Sequence, residues 1–159
     1  MVITREAEMV LLAAGSYWDI RRFPDNDQEE RDTSNQAPIP EGWSIVSFDE
    51  SGSGKEVSSW SSSGFSARAY QKGNEIVISY SGTETGENGG FNSGSRSDFA
   101  HGNIPLAVGM YAEQAYQAAL FYEKIKENCP GKQITFTGHS LGGGLAGLMG
   151  VWFDKPAYV

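Results

Sequence analysis

The chain has 159 residues, with 12 Lys and Arg against 20 Asp and Glu, for a net charge of −8. That length allows one domain with a real core, and four tryptophans with a 39% hydrophobic fraction argue against disorder. The acidic balance argues against nucleic acid as a partner, and no run of eighteen apolar residues is present to span a membrane.

At the start, Glu6 and Glu8 precede the short apolar run 9–14. A secretory signal wants a basic start and a longer apolar segment, so no N-terminal signal is expected. Location is left open between the cytoplasm and export by another route. Residues 4–19 predict an amphipathic helix with Thr4 as N-cap and Ala7, Val10, Leu11, Ala14 and Trp18 on its apolar face. Residues 21–40 are charged and turn-rich, and read as a loop. Residues 43–48 alternate and predict a strand, whereas the Ser- and Gly-rich run 51–64 predicts a loop. Residues 65–70 and 75–80 predict two strands of a hairpin, joined by Gln71-Lys72-Gly73-Asn74.

Residues 82–102 follow, rich in Gly, Ser and Asn. A loop this long in a compact domain is unusual and often functional. A long helix is predicted from Ile104 or Pro105 to about Asn128, with Val108, Tyr111, Ala112, Ala115, Ala119, Tyr122 and Ile125 on one face. Its tyrosines read as packing. Cys129-Pro130-Gly131 marks a turn, and the one cysteine excludes an internal disulfide.

The run Gln133-Ile134-Thr135-Phe136-Thr137 then predicts a strand, and residues 141–152 predict a buried helix. Between them stands Gly138-His139-Ser140-Leu141-Gly142. With 20 glycines and 18 serines in the chain, roughly 0.3 chance matches to G-x-S-x-G are expected, so the flanks carry the signal. Strand, glycine-flanked serine and helix in that order read as a nucleophile elbow. The small flanking residues let the turn close and lift the Ser140 hydroxyl out of it. The helix N-terminus leaves the Leu141 N–H free to stabilise an oxyanion.

With these motifs in view, the chain resembles the class 3 lipases of the α/β-hydrolase superfamily. Thr137-Gly138-His139-Ser140-Leu141-Gly142-Gly143 is similar to their nucleophile segment. Ile76-Val77-Ile78-Ser79-Tyr80-Ser81-Gly82-Thr83 is similar to their earlier strand, with Ser81 where the family usually has arginine. The resemblance implies Thr83 as a second oxyanion donor. Asp98-Phe99-Ala100-His101 stands about where the family has an aspartate and then a histidine, so Asp98 and His101 are expected near the site. It further implies that 82–102 is a lid over the acyl pocket, where Phe91 and Phe99 could touch an acyl chain; the other reading of the segment is a mobile surface insertion.

The implied fold is α/β: a partial α/β-hydrolase fold in three layers, with a mostly parallel sheet and helices on both faces. In such hydrolases an acid and then a histidine follow the serine. His101 and His139 are the two histidines, and neither follows Ser140. Asp154 is the one acid that does, and it reads as a solvated turn residue. The triad acid and base are therefore expected beyond Val159, and residues 156–159 look like the start of another strand. The expected function is carboxylic ester hydrolysis by Ser140, with an acyl ester or lipid as substrate and transient contact with a lipid interface left open. The alternative is an inactive α/β fragment or binding module. No phosphate loop and no metal-ligand spacing is found, so neither cofactor nor metal is expected.

Overall fold

The computed structural model describes residues 3–16, 37–46, 58–60, 65–81 and 104–159. Helix α1 spans Arg5–Gly15, and the Thr4 hydroxyl oxygen caps it by accepting the Ala7 N–H at 3.3 Å. Its buried residues are Met9, Leu12 and Ala13. The face predicted from the sequence was rotated away from this one, and Val10 is 67% exposed. Met9, Leu12, Ala13 and Ser16 keep the same three- and four-residue spacing. Periodicity alone does not choose between two stripes on so short a helix.

Among the described residues six strands form one sheet: β1 (Ser44–Ile45), β2 (Ser58–Trp60), β3 (Ser66–Lys72), β4 (Glu75–Tyr80), β5 (Gln133–Gly138) and β6 (Ala157–Tyr158). The order is β1-β3-β4-β5-β6, with β2 also paired to β3. The architecture is α/β, as expected. The sheet is mixed, antiparallel where β1, β2 and β4 meet β3 and parallel from β4 through β5 to β6. Chain connectivity explains the division. Gly73, at φ 57°, closes the tight turn of the β3–β4 hairpin. Parallel strands need a crossover, and helices α2 (Ile104–Asn128) and α3 (Leu141–Phe153) provide the two crossovers. Strand β2 corrects the loop expected over 51–64 at Ser58–Trp60, while 51–57 and 61–64 lie outside the described residues. Its ladder with β3 pairs the backbone of a stretch too polar to read as a strand.

Strand alternation sorts the side chains into two layers of core. Ile76, Ile78 and Tyr80 of β4, with Ile134 and Phe136 of β5, pack under α2 and α3. On α2 the packed stripe includes Ala115, Ala118, Tyr122 and Ile125, while Ala112 is exposed. Val77 and Tyr70 point to the opposite face, where Met9 and Leu12 of α1 meet them beside Trp43. The result is three layers with helices on both faces. At the far end of α3, exposed Asp154 takes a left-handed conformation (φ 50°, ψ 57°) that ends the helix and turns the chain into β6.

An ionic cluster fastens α1 to the start of the sheet. Arg5 bridges Glu8 and Glu75, and Lys72 reaches Glu8 at 2.6 Å. The Arg5 guanidinium also lies 5.5 Å from the centroid of the Trp43 ring. Burial pushes the Glu8 carboxyl up, but hydrogen bonding and charge from Lys72, with hydrogen bonding from Arg5, outweigh it and hold the group below its ordinary value. A depressed carboxylate stabilises the fold above its unfolded-state value of 4.5 and loses that contribution as pH falls through the folded value. Glu8→Gln is therefore expected to lower stability at pH 7 by about 0.5–1 kcal/mol, with the difference from wild type shrinking below pH 4.5. Urea denaturation at several pH values checks this.

Candidate active site

The carboxyl end of β5 leads into two of the residues singled out above, Ser140 and Leu141. Tyr80 pairs with Gly138, so the ends of β4 and β5 lie level. Open α/β sheets bind ligands at this edge. Strand β5 is held from both sides. Its Thr135 hydroxyl donates to Glu75 Oε1 at 3.2 Å, and its Thr137 hydroxyl donates to the Tyr158 carbonyl at 3.1 Å. The end of β4 is anchored by Tyr80, whose hydroxyl donates to the Ala118 carbonyl at 3.2 Å. Burial pushes the Tyr80 phenol well above its ordinary value, and so keeps it a neutral donor.

From β5 the chain passes through His139 and Ser140 directly into α3. Ser140 sits at φ 58° and ψ −126°, a conformation rare for any residue with a Cβ. Its side chain is exposed and makes no capping hydrogen bond to the helix it opens. Its carbonyl accepts the Gly143 N–H at 3.0 Å and the Gly144 N–H at 3.3 Å, while Gly142 N–H donates to His139 at 3.0 Å. The Leu141 N–H takes no backbone partner among the described residues. The first turn of α3 thus presents the Leu141 N–H, without a backbone partner among the described residues, and the positive end of the helix dipole beside Ser140. That combination is suited to holding a developing negative charge.

Glycine is required at both flanks. A Cβ on Gly138 would strike the carbonyl of Gly142 and come within 2.8 Å of the Tyr80 carbonyl oxygen. One on Gly142 would strike the Tyr80 carbonyl in turn. The turn therefore closes only because two backbones touch where side chains would otherwise stand. Gly144 is different. It is exposed, and among the described residues a Cβ there would meet the Tyr111 hydroxyl at 3.5 Å.

The structure brings Ser140 and Leu141 to one turn, with His139 exposed beside them. Thr83, Asp98 and His101 lie outside the described residues, as do Phe91, Phe99 and the rest of 82–103. Sequence reasoning missed one anchor. Ser81, noted only as a departure from arginine, is buried and donates from Oγ to the Ser16 carbonyl at 2.6 Å. Its neighbour on the same face is Arg68, also buried, whose guanidinium donates to the Gly15 carbonyl at 3.2 Å. An arginine and a serine in alternating register on paired strands were the available signal.

No described helix is long and apolar enough to cross a membrane. Residues 8–159 match a family model, that of the Tle-like phospholipase domain. No curated protein matches the chain.

Proposed function

The chain belongs to the Tle-like phospholipase domain family, and on that premise we propose that it is a serine-dependent carboxylic ester hydrolase acting on acyl lipids. Ser140 is the nucleophile in this reading, and its chemistry is that of the class 3 lipases of the α/β-hydrolase superfamily. One observation carries the proposal. The Ser140 hydroxyl is exposed on a strained turn, at a helix N-terminus, and is not engaged in capping that helix.

The reaction follows from these groups. Ser140 Oγ attacks the ester carbonyl, and its proton passes to a general base as the Oγ–C bond forms. The Leu141 N–H, with Thr83 as second donor, holds the resulting oxyanion. Collapse breaks the bond to the alcohol, which takes the proton from the base. Water then attacks the acyl-enzyme by the same route, releasing a carboxylic acid and restoring Ser140. A serine hydroxyl without a base is a weak nucleophile at neutral pH. The Ser, acid, His order of α/β-hydrolases puts acid and base C-terminal to Ser140. His101, with Asp98, is the alternative within this sequence.

A fluorophosphonate probe tests the nucleophile directly. The full-length protein is expected to gain one phosphonyl group, mapped by peptide mass to Ser140 and absent from Ser140→Ala. A protein that gains no adduct overturns the reading and leaves an inactive α/β fragment or binding module in its place, whereas an adduct elsewhere overturns Ser140 as the nucleophile.

A further inference from the structure

The buried polar cluster at the end of α1 has no part in the reaction as written, yet it abuts the nucleophile turn. Three carbonyls near the end of α1 are bonded there. The Ser16 hydroxyl donates back to Ala13 at 2.7 Å, Arg68 donates to Gly15 at 3.2 Å, and Ser81 donates to Ser16 at 2.6 Å. Ser16, Arg68 and Ser81 are each 4% exposed. A cationic guanidinium at a helix C-terminus also suits the dipole. Helix ends leave carbonyls without intrahelical partners, so this capping explains why polar side chains are buried at this point.

Ser81 differs from the other two because of what lies on its far side. Its N–H donates to the carbonyl of Ser66, the first residue of β3, at 2.9 Å. Its carbonyl carbon is 2.8 Å from where a Cβ on Gly142 would stand. One residue therefore touches the end of α1, the start of β3 and the first turn of α3. The Ser140 turn rests against the peptide that joins Tyr80 to Ser81. Thr83, the second oxyanion donor of the proposed reaction, follows two residues later.

We infer that Ser81 is a positioning residue of the hydrolytic site: its hydroxyl ties the carboxyl end of β4, against which the Ser140 turn packs, to the end of α1. The inference rests on the serine-hydrolase reading. Without that bond the end of β4 loses a tie to the end of α1, and the support beneath Gly142 shifts. A small displacement of a reacting group is enough to slow a reaction roughly a hundredfold.

The test compares the rate of Ser140 phosphonylation in wild type, Ser81→Ala, Ser81→Thr and Met9→Ala, each held well below its own melting temperature. Met9 is 1% exposed on α1, and its truncation weakens the same helix through packing. Ser81→Ala is expected to label ten- to a hundredfold more slowly (roughly) than wild type. Ser81→Thr restores the hydroxyl and is expected to recover most of that loss, and Met9→Ala is expected to label at close to the wild-type rate. Amide exchange at Gly142 and Gly143 gives a readout independent of chemistry, and is expected to quicken about tenfold in Ser81→Ala and not in Met9→Ala. Ser81→Ala labelling at the wild-type rate, or no faster a loss than in Met9→Ala, overturns the positioning role. Should wild type itself fail to label, the hydrolase reading falls. The exchange data then decide alone whether Ser81 holds the turn, and unchanged exchange in Ser81→Ala overturns that as well.

Discussion

Ser140→Gly is expected to give a protein that is more stable than wild type and without esterase activity. Ser140 is held at φ 58° and ψ −126°. An L-residue in so sparsely populated a region costs about 1–3 kcal/mol. Glycine reaches the region without that cost but loses more entropy on folding, so the expected net gain is about 1 kcal/mol. For a domain of this size that is a rise of roughly 2–4 °C in melting temperature. Activity moves the other way. Removing a nucleophile lowers turnover by about 10⁴-fold or more, since the remaining groups act only as a unit with it. Ser140→Ala separates the two effects. It loses the hydroxyl and keeps the Cβ, so it is expected to lose the same activity with little gain in stability. Thermal melts and hydrolysis of a soluble acyl ester on the three proteins check this. A Ser140→Gly protein less stable than Ser140→Ala would mean that the turn is not strained by its side chain.

This trade of stability for function also marks how much the sequence made legible. The strand, the glycine-flanked serine and the helix stood in order in residues 133–152, because each signal there is local: β-branched alternation, small residues at a turn, and an unbroken apolar run. The β3–β4 hairpin was legible for the same reason, through Gly73. Strand β2 was not, because its pairing with β3 is a property of the partner strand and leaves no apolar pattern in Ser58–Trp60. The antiparallel half of the sheet was likewise set by which strands meet. On α1 the spacing was right and the face was not: Met9 and Leu12 were selected by Val77 and Tyr70 across the layer, which no helical periodicity contains. At the candidate site the sequence pointed to glycine at 138 and 142 as small residues. It did not indicate that their obstacle is the backbone of β4, or that Ser81 couples that strand to α1. Those contacts join residues more than fifty positions apart, and one chain carries no record of such proximity.

The backbone contact at Gly142 leads to the largest expected loss of stability. Gly142→Ala is expected to destabilise the fold by about 3 kcal/mol, at the upper end of what overpacking costs. The added methyl would land on the Tyr80 carbonyl, with the Ser81 carbonyl carbon 2.8 Å away. Neither neighbour is a flexible side-chain end that can swing aside. Tyr80 is buried, with its ring 6.0 Å from those of Phe65 and Phe136 and its hydroxyl bonded to α2. Ser81 is fixed at its N–H and its Oγ. Relief must come from lifting the start of α3 away from β4, which moves Ser140 as well. Helix propensity acts in the opposite direction, because alanine is favoured over glycine inside a helix by about 1 kcal/mol. Gly144→Ala isolates that second effect on the same turn. Gly144 is exposed, and the new methyl makes ordinary contact with the Tyr111 hydroxyl at 3.5 Å. That variant is expected to gain about 0.5–1 kcal/mol. Two identical substitutions, two residues apart, should therefore shift the urea midpoint in opposite directions. If Gly142→Ala also stabilised the protein, the close seating of α3 on β4 would be wrong, and with it the geometry that holds Ser140 exposed at the sheet edge.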